Sequence, residues 1–226
     1  MQGASVDLTL LGRDAGRIER VAADLRVRNP QSDIHVVEAD FLVPAAIQST
    51  VDEIVAQGQV DIVLIAHGSL PDQTDCQNNL QACRDALEVN GLSPVLYAEA
   101  FAQHMAQANC GTIVLIGSVA GDRGRKSNYV YGSAKGLVTR YAQGLQHRFA
   151  QTGVKVVLIK PGPTDTPMTA HLKEQGAKLA SVEDVAEQIV KAIEQGKPTA
   201  YVPGKWALIM MIIRHLPSFV FNKLNI

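Results

Sequence analysis

Tyr131 and Lys135 stand four residues apart in Tyr131-Gly132-Ser133-Ala134-Lys135, with Ser118 13 residues before the tyrosine and Asn90 a further 28 before the serine. Residues four apart on a helix share one face. An ammonium close to a phenol favours the phenolate and lowers a tyrosine pKa from its ordinary value of about 10. Such a pair can give and take protons near neutrality. Ser118 follows an apolar run and Gly117, which places it beyond the end of a strand, within reach of a substrate oxygen. Asparagine is a mediocre helix former, so Asn90 in a helical stretch calls for a local reason. Singly, Y-x-x-x-K recurs by chance, Ser118 reads as a loop serine and Asn90 as a kink or cap. In this order, on these elements, the four form a composite proton-transfer motif.

The elements that must position them alternate regularly. Short apolar runs at 6–11, 34–37, 62–66, 113–116, 154–159 and 200–202 read as strands. Those at 62–66, 113–116 and 154–159 are almost continuously apolar, as expected of parallel strands covered on both faces. Between them, Ile18, Val21, Ala22 and Leu25 make one helical stripe, and Val138, Tyr141, Ala142, Leu145 and Phe149 another. Val185, Ile189, Ala192 and Ile193 make a third, opened by Ser181-x-x-Asp184 in a capping-box pattern. Alternating strands and helices imply an α/β, doubly wound parallel sheet.

Bulk composition narrows the function classes. The chain has 226 residues, the length of one α/β domain, and 21 Lys+Arg face 22 Asp+Glu, so no nucleic-acid partner is indicated. Cys76, Cys83 and Cys110 are odd in number and lack C-x-x-C spacing, so neither a disulfide framework nor a zinc site is supported, and no metal is expected. Reduced thiols and the lack of a visible signal peptide point to a cytoplasmic protein.

With Asn90, Ser118, Tyr131 and Lys135 in order, the chain resembles the short-chain dehydrogenase/reductase family from Val6 to about Val202. Three further segments carry the resemblance. Pro161-Gly162-Pro163-Thr164-Asp165-Thr166 looks like the family's P-G-x-x-x-T segment. Ile65-Ala66-His67-Gly68 looks like its N-A-G turn, and Asp40-Phe41 like the acidic pair that holds adenine. The resemblance implies a Rossmann-like fold, with residues 1–226 as a single NAD(P)-binding domain ending in an apolar tail at 204–226. It also implies hydride transfer between a nicotinamide and a small-molecule carbonyl or secondary alcohol. Tyr131 would be the acid/base, and Ser118 would polarise the carbonyl. Lys135 would lower the tyrosine pKa and bind the nicotinamide ribose, and Asn90 would hold a relay water. Arg13, Asp40, Phe41, Ala66, Gly68, Tyr131, Lys135, Pro161, Gly162, Thr164 and Thr166 would contact the cofactor. Arg13, after the first visible strand, favours NADP because a guanidinium pairs well with a 2′-phosphate; Asp14 beside it could instead reach a free ribose hydroxyl, which keeps NAD possible. Family analogy implies a homo-oligomer.

Three departures stand out. The family opens with a strand, a T-G-x-x-x-G-x-G turn and a helix, whereas Gln2-Gly3-Ala4-Ser5 resembles the loop before the second strand. The expectation is an N-terminally truncated fold without its first βα unit, about 25–30 residues. The missing strand is central in the 3-2-1-4-5-6 order, so its neighbours would face an empty slot, and the chain as it stands would not bind a dinucleotide normally. Second, Ala66 replaces the asparagine of N-A-G, with His67 beside it reading as a loop histidine because nothing nearby supplies a partner. Third, Thr164 replaces an apolar residue in the P-G-x-x-x-T segment.

The tail is apolar from Trp206 to Ile213, followed by Arg214, His215, Leu216-Pro217, Phe219-Val220-Phe221 and Leu224. Eight apolar residues are too few to span a bilayer, which needs about 20. The tail reads either as a helix buried against the sheet or an oligomer partner, or as a peripheral membrane contact through 205–224 with Lys205, Arg214 and Lys223 at headgroup level. It looks loosely like the tails of reductases acting on polyprenyl-linked sugars. Two alternatives to a general carbonyl reductase follow: a reductase of a lipid-linked keto-sugar at the membrane, or an inactive remnant of the fold.

Overall fold

The computed structural model describes residues 6–224; Gln2-Gly3-Ala4-Ser5, read above as the loop before the first strand, lies outside the described residues. The chain forms two compact units, 1–59 and 60–226.

The first unit is a βαβα segment: β1 (Leu8–Gly12), α1 (Ala15–Arg28), β2 (Ile34–Glu38) and α2 (Pro44–Gln57). The two strands are parallel, in register from Leu8 opposite Ile34 to Gly12 opposite Glu38. Asp14 caps α1, its Oδ1 accepting from the Arg17 N–H at 2.9 Å. At the entry to α2, Asp40 Oδ1 accepts from the amides of Leu42 (2.6 Å) and Val43 (2.7 Å), and Pro44 fills the first turn, where no amide is needed.

The second unit holds four parallel strands, β3 (Ile62–Ile65), β4 (Gly111–Ile116), β5 (Val154–Pro161) and β6 (Thr199–Val202), paired in that order. The β3–β4 crossover contains α3 (Gln73–Asn78), α4 (Leu80–Leu87), a π-helical turn at Glu88–Leu92 and α5 (Ser93–Ala108). A 3₁₀ turn at Val119–Asp122 and α6 (Tyr129–Arg148) lead to β5; α7 (Ala170–Glu174) and α8 (Val182–Glu194) lead to β6. The tail forms α9 (Lys205–His215) and the short α10 (Ser218–Phe221).

All six apolar runs are strands. The described strands pair in two parallel sheets, β1–β2 and β3–β4–β5–β6, so β1 and β3 each end a sheet. Full burial holds for the central strands: Ile113, Val114 and Leu115 of β4 and Val157, Leu158 and Ile159 of β5 have no exposed surface. It fails for β3. Ile62 and Leu64 are 43% and 51% exposed, while Ile65, on the alternate face, is buried. Among the described residues β3 pairs on one side only, and the face carrying Ile62 and Leu64 is open.

Candidate active site

Asn90 has its local reason. The π-helical turn between α4 and α5 inserts one extra residue into the helical ladder, a feature that recurs at functional sites. Asn90 is fully buried there. Its Nδ2 donates to the Ala86 carbonyl (2.9 Å) and to Ser69 Oγ (3.3 Å), and its Oδ1 accepts from the Ser69 amide (2.8 Å). The asparagine thus ties the turn after β3 to the helix. Gly68 lies against the same group: a Cβ there would stand 2.8 Å from Asn90 Oδ1 and 3.6 Å from Lys135 Nζ.

Ser118 caps the 3₁₀ turn after β4, its Oγ accepting from the Ala120 amide at 3.1 Å. This turn packs on α6 backbone against backbone. A Cβ on Gly121 would stand 2.6 Å from the Lys135 carbonyl oxygen, and one on Gly132 2.9 Å from that of Ala120, so only glycines permit the approach. The close packing brings Ser118 to Tyr131, and the two side chains are hydrogen-bonded. Gln73 Oε1, from α3, accepts the Val130 amide at 3.0 Å and fixes the first turn of α6.

Lys135 is buried, and its Nζ donates to the Ile116 carbonyl at the end of β4 at 3.0 Å. It stands 5.8 Å from the centre of the Tyr131 ring. Burial pushes the lysine pKa down to about 8. The Tyr131 phenol differs from the expectation of a lowered pKa. Burial raises it above its ordinary value, and the opposing influence is the hydrogen bond with Ser118, not the ammonium. Desolvation outweighs a cation whose nearest partner is a backbone carbonyl.

Asn90, Gly68, Ser118, Tyr131 and Lys135 therefore share one neighbourhood. Ala66 is exposed in the turn after β3. His67 does have a partner: its Nε2 lies 2.8 Å from Ser93 Oγ, and its ring meets Tyr97 edge-on at 5.8 Å. Pro161 ends β5 opposite Val202, and the Gly162 amide donates to the Val202 carbonyl (2.8 Å). Thr164 Oγ1 donates to the Gly162 carbonyl (3.1 Å), and the Thr166 amide donates to Thr169 Oγ1 (3.2 Å), so both threonines brace the loop after β5. A cleft of about 440 Å³ opens there, lined by Asp165, Thr166, Pro167, Ala170, Lys173 and Glu174.

In the first unit Arg13 is exposed at the end of β1, and the Asp14 carboxylate beside it is engaged as the α1 cap and lies 3.6 Å from Arg17 Nε. Asp40 is held below the usual carboxylate range by its two backbone hydrogen bonds, and Phe41 is buried.

Sequence reasoning did not find a second, buried cluster behind the serine turn. Asp122 pairs with Lys160, both side chains almost fully buried, and accepts from Tyr201 Oη at 2.7 Å. Burial and the Asp122 carboxylate push the Tyr201 pKa up to about 12. The readable signal was Lys160 itself, a charge closing the apolar run Val156-Val157-Leu158-Ile159. Next to it, Arg123 donates to the carbonyls of Ile213 and Leu216, each at 2.6 Å, and stacks 3.8 Å over Phe221.

The family model described as short chain dehydrogenase matches residues 1–177. The chain belongs to the short chain dehydrogenase family. An uncharacterised oxidoreductase of Streptomyces coelicolor is 31% identical over 95% of this chain and 84% of its own length. One of Mycobacterium tuberculosis is 30% identical over 98% and 88%. Among solved structures, a short-chain dehydrogenase from Sphingobium yanoikuyae in complex with NADPH superposes with a TM-score of 0.79 at 20% identity, covering 94% of this chain and 87% of that one. Levodione reductase gives 0.80 at 18% identity over 89% and 88%. Both structures share the fold of this chain.

Proposed function

We propose that this short-chain dehydrogenase is an NADP(H)-linked oxidoreductase that interconverts a carbonyl and a secondary alcohol, with Tyr131 as general acid/base. The hydrogen-bonded Ser118–Tyr131 pair beside buried Lys135 carries this reading. The cofactor fits the donor set. Lys135 Nζ donates to the Ile116 carbonyl, which leaves two N–H donors for a pair of ribose hydroxyls. Arg13 is exposed while the neighbouring acid is engaged as a cap, a combination that suits a 2′-phosphate better than a free hydroxyl. NADPH bound in the structure of the Sphingobium yanoikuyae relative points the same way. The cofactor supplies the hydride when bound.

The protein supplies position and protons. In reduction, Ser118 Oγ donates to the substrate oxygen and polarises the carbonyl. Tyr131 Oη gives its proton to that oxygen as the alkoxide forms. Burial holds the phenol protonated at neutral pH, which suits the acid role. Lys135 stabilises the phenolate left behind, and Asn90 keeps the turn after β3 in place and orders the relay water.

Tyr131→Phe tests the assignment. Turnover should fall by roughly 10²–10⁴-fold with NADPH affinity largely kept, whereas Lys135→Ala should damage both. Near-normal kcat in Tyr131→Phe would remove the phenol from the mechanism.

A second reading, reduction of a lipid-linked keto-sugar, is favoured by one observation. Arg123 ties the apolar tail to the turn that carries Ser118, so an amphiphilic substrate could rest its apolar portion on α9 while its carbonyl meets Tyr131.

A further inference from the structure

Helix α9 has more apolar surface than the fold uses. Its inner side is spoken for: Met210 has no exposed surface, and Trp206 lies against Gly162. Its C-terminal end is fastened by Arg123, which donates to the carbonyls of Ile213 and Leu216 and is covered by the ring of Phe221. The opposite side carries Leu208, Met211 and Ile212 at i, i+3 and i+4, and they remain 60%, 52% and 54% exposed. Phe219 of α10 is 71% exposed, and Leu224 beyond it 40%. A helix apolar on both sides normally has both sides covered. Here the fastening holds the outer apolar side in a fixed, outward position.

The tail's own charge is one-signed. Lys205, Arg214 and Lys223 occur between residues 203 and 226, with no aspartate or glutamate in that span. No helix among the described residues is long and apolar enough to cross a membrane. We propose that α9 and α10 form a monotopic docking surface for an anionic lipid bilayer. Leu208, Met211, Ile212 and Phe219 enter the headgroup–acyl boundary, and Lys205 and Lys223 meet lipid phosphates. A second copy of the chain suits the surface less well, because a two-fold contact sets each patch against itself and brings like charges together. The proposal is independent of the substrate assigned above.

Vesicle flotation tests it, with phosphatidylcholine vesicles compared with mixtures of phosphatidylcholine and phosphatidylglycerol. The chain should float with the anionic vesicles and release as salt rises. Leu208→Asp and, separately, Ile212→Gln should each weaken binding, by roughly tenfold for the aspartate. Circular dichroism identifies any variant that has lost its fold, and the salt dependence of the unaltered chain is a readout that needs no variant. Failure of the unaltered chain to float, or binding undiminished in both folded variants, overturns the proposal. So does a concentration-dependent dimer in analytical ultracentrifugation that Leu208→Asp dissociates, because the second copy would then be the occupant. Turnover of a soluble ketone by the same preparations keeps this result separate from the fate of the proposed reaction.

Discussion

Lys135 Nζ donates a 3.0 Å hydrogen bond to the Ile116 carbonyl, joining the helix of Tyr131 to the end of the strand that presents Ser118. The bond holds a buried ammonium whose pKa has fallen to about 8 from an unfolded value near 10.5. The folded state penalises the charged form, so between those values the unfolded chain binds more protons than the folded one. Stability contributed by this group therefore rises with pH across that window. Lys135→Met should flatten the rise: denaturant unfolding at pH 7 and at pH 10 should show the gap between variant and wild type shifting in favour of wild type by about 1–3 kcal/mol. An equal gap at both pH values would place the lysine titration elsewhere.

Ser118 is the group that opposes the burial-driven rise of the Tyr131 pKa. Ser118→Ala should therefore raise the tyrosine pKa further, read as a shift of the tyrosinate absorbance titration to higher pH against a Tyr131→Phe control. It should also cut carbonyl reduction by roughly 10²-fold or more, since the substrate oxygen loses a preorganised donor. A titration that does not move would show that the serine acts only on substrate.

Much of this was legible because local patterns coincide with global demands. The runs at β4 and β5 are almost continuously apolar because both faces of those strands are covered, and the Ser181 cap is visible because its side chain bonds an amide three residues away. That Asn90, Ser118, Tyr131 and Lys135 share one neighbourhood follows from their order and from the elements that carry them. What stayed hidden depends on contacts distant in sequence. The partner of His67 is Ser93, 26 residues on, and nothing in the spacing announces it. The phenol pKa was misjudged because helical spacing puts Lys135 on the right face but says nothing of burial, which here outweighs the charge. The exposure of Ile62 and Leu64 likewise follows from the end position of β3 in its sheet, which an apolar run cannot specify.

The Asp122–Lys160 pair should matter more to folding than to chemistry. Both side chains are almost fully buried, and Asp122 also accepts from Tyr201. Removing one member of a buried pair strands the other charge, at a cost of about 3–5 kcal/mol, whereas replacing both with apolar groups is often neutral. Asp122→Asn should therefore lower the unfolding free energy by that amount, and adding Lys160→Met should recover most of the loss. A double variant as unstable as the sum of its singles would mean that the two residues do not act on each other.

Gly162 and Trp206 make the sharpest steric test. A Cβ on Gly162 would fall 1.9 Å from Trp206 Nε1 and 2.4 Å from Cε2, so the indole must leave if alanine is introduced. Since the Gly162 amide donates to the Val202 carbonyl, the backbone is held by the sheet and cannot yield instead. Gly162→Ala should destabilise by about 1–3 kcal/mol through overpacking. Trp206→Ala removes the obstacle at the price of its own packing, so the double variant should be more stable than the two single losses predict, by at least about 1 kcal/mol in a double-mutant cycle. The same cycle read in kcat/KM separates packing from function. If the indole merely fills space, the coupling appears in stability alone. If it also shapes the site next to Thr164 and Thr166, Trp206→Ala raises KM with the fold intact.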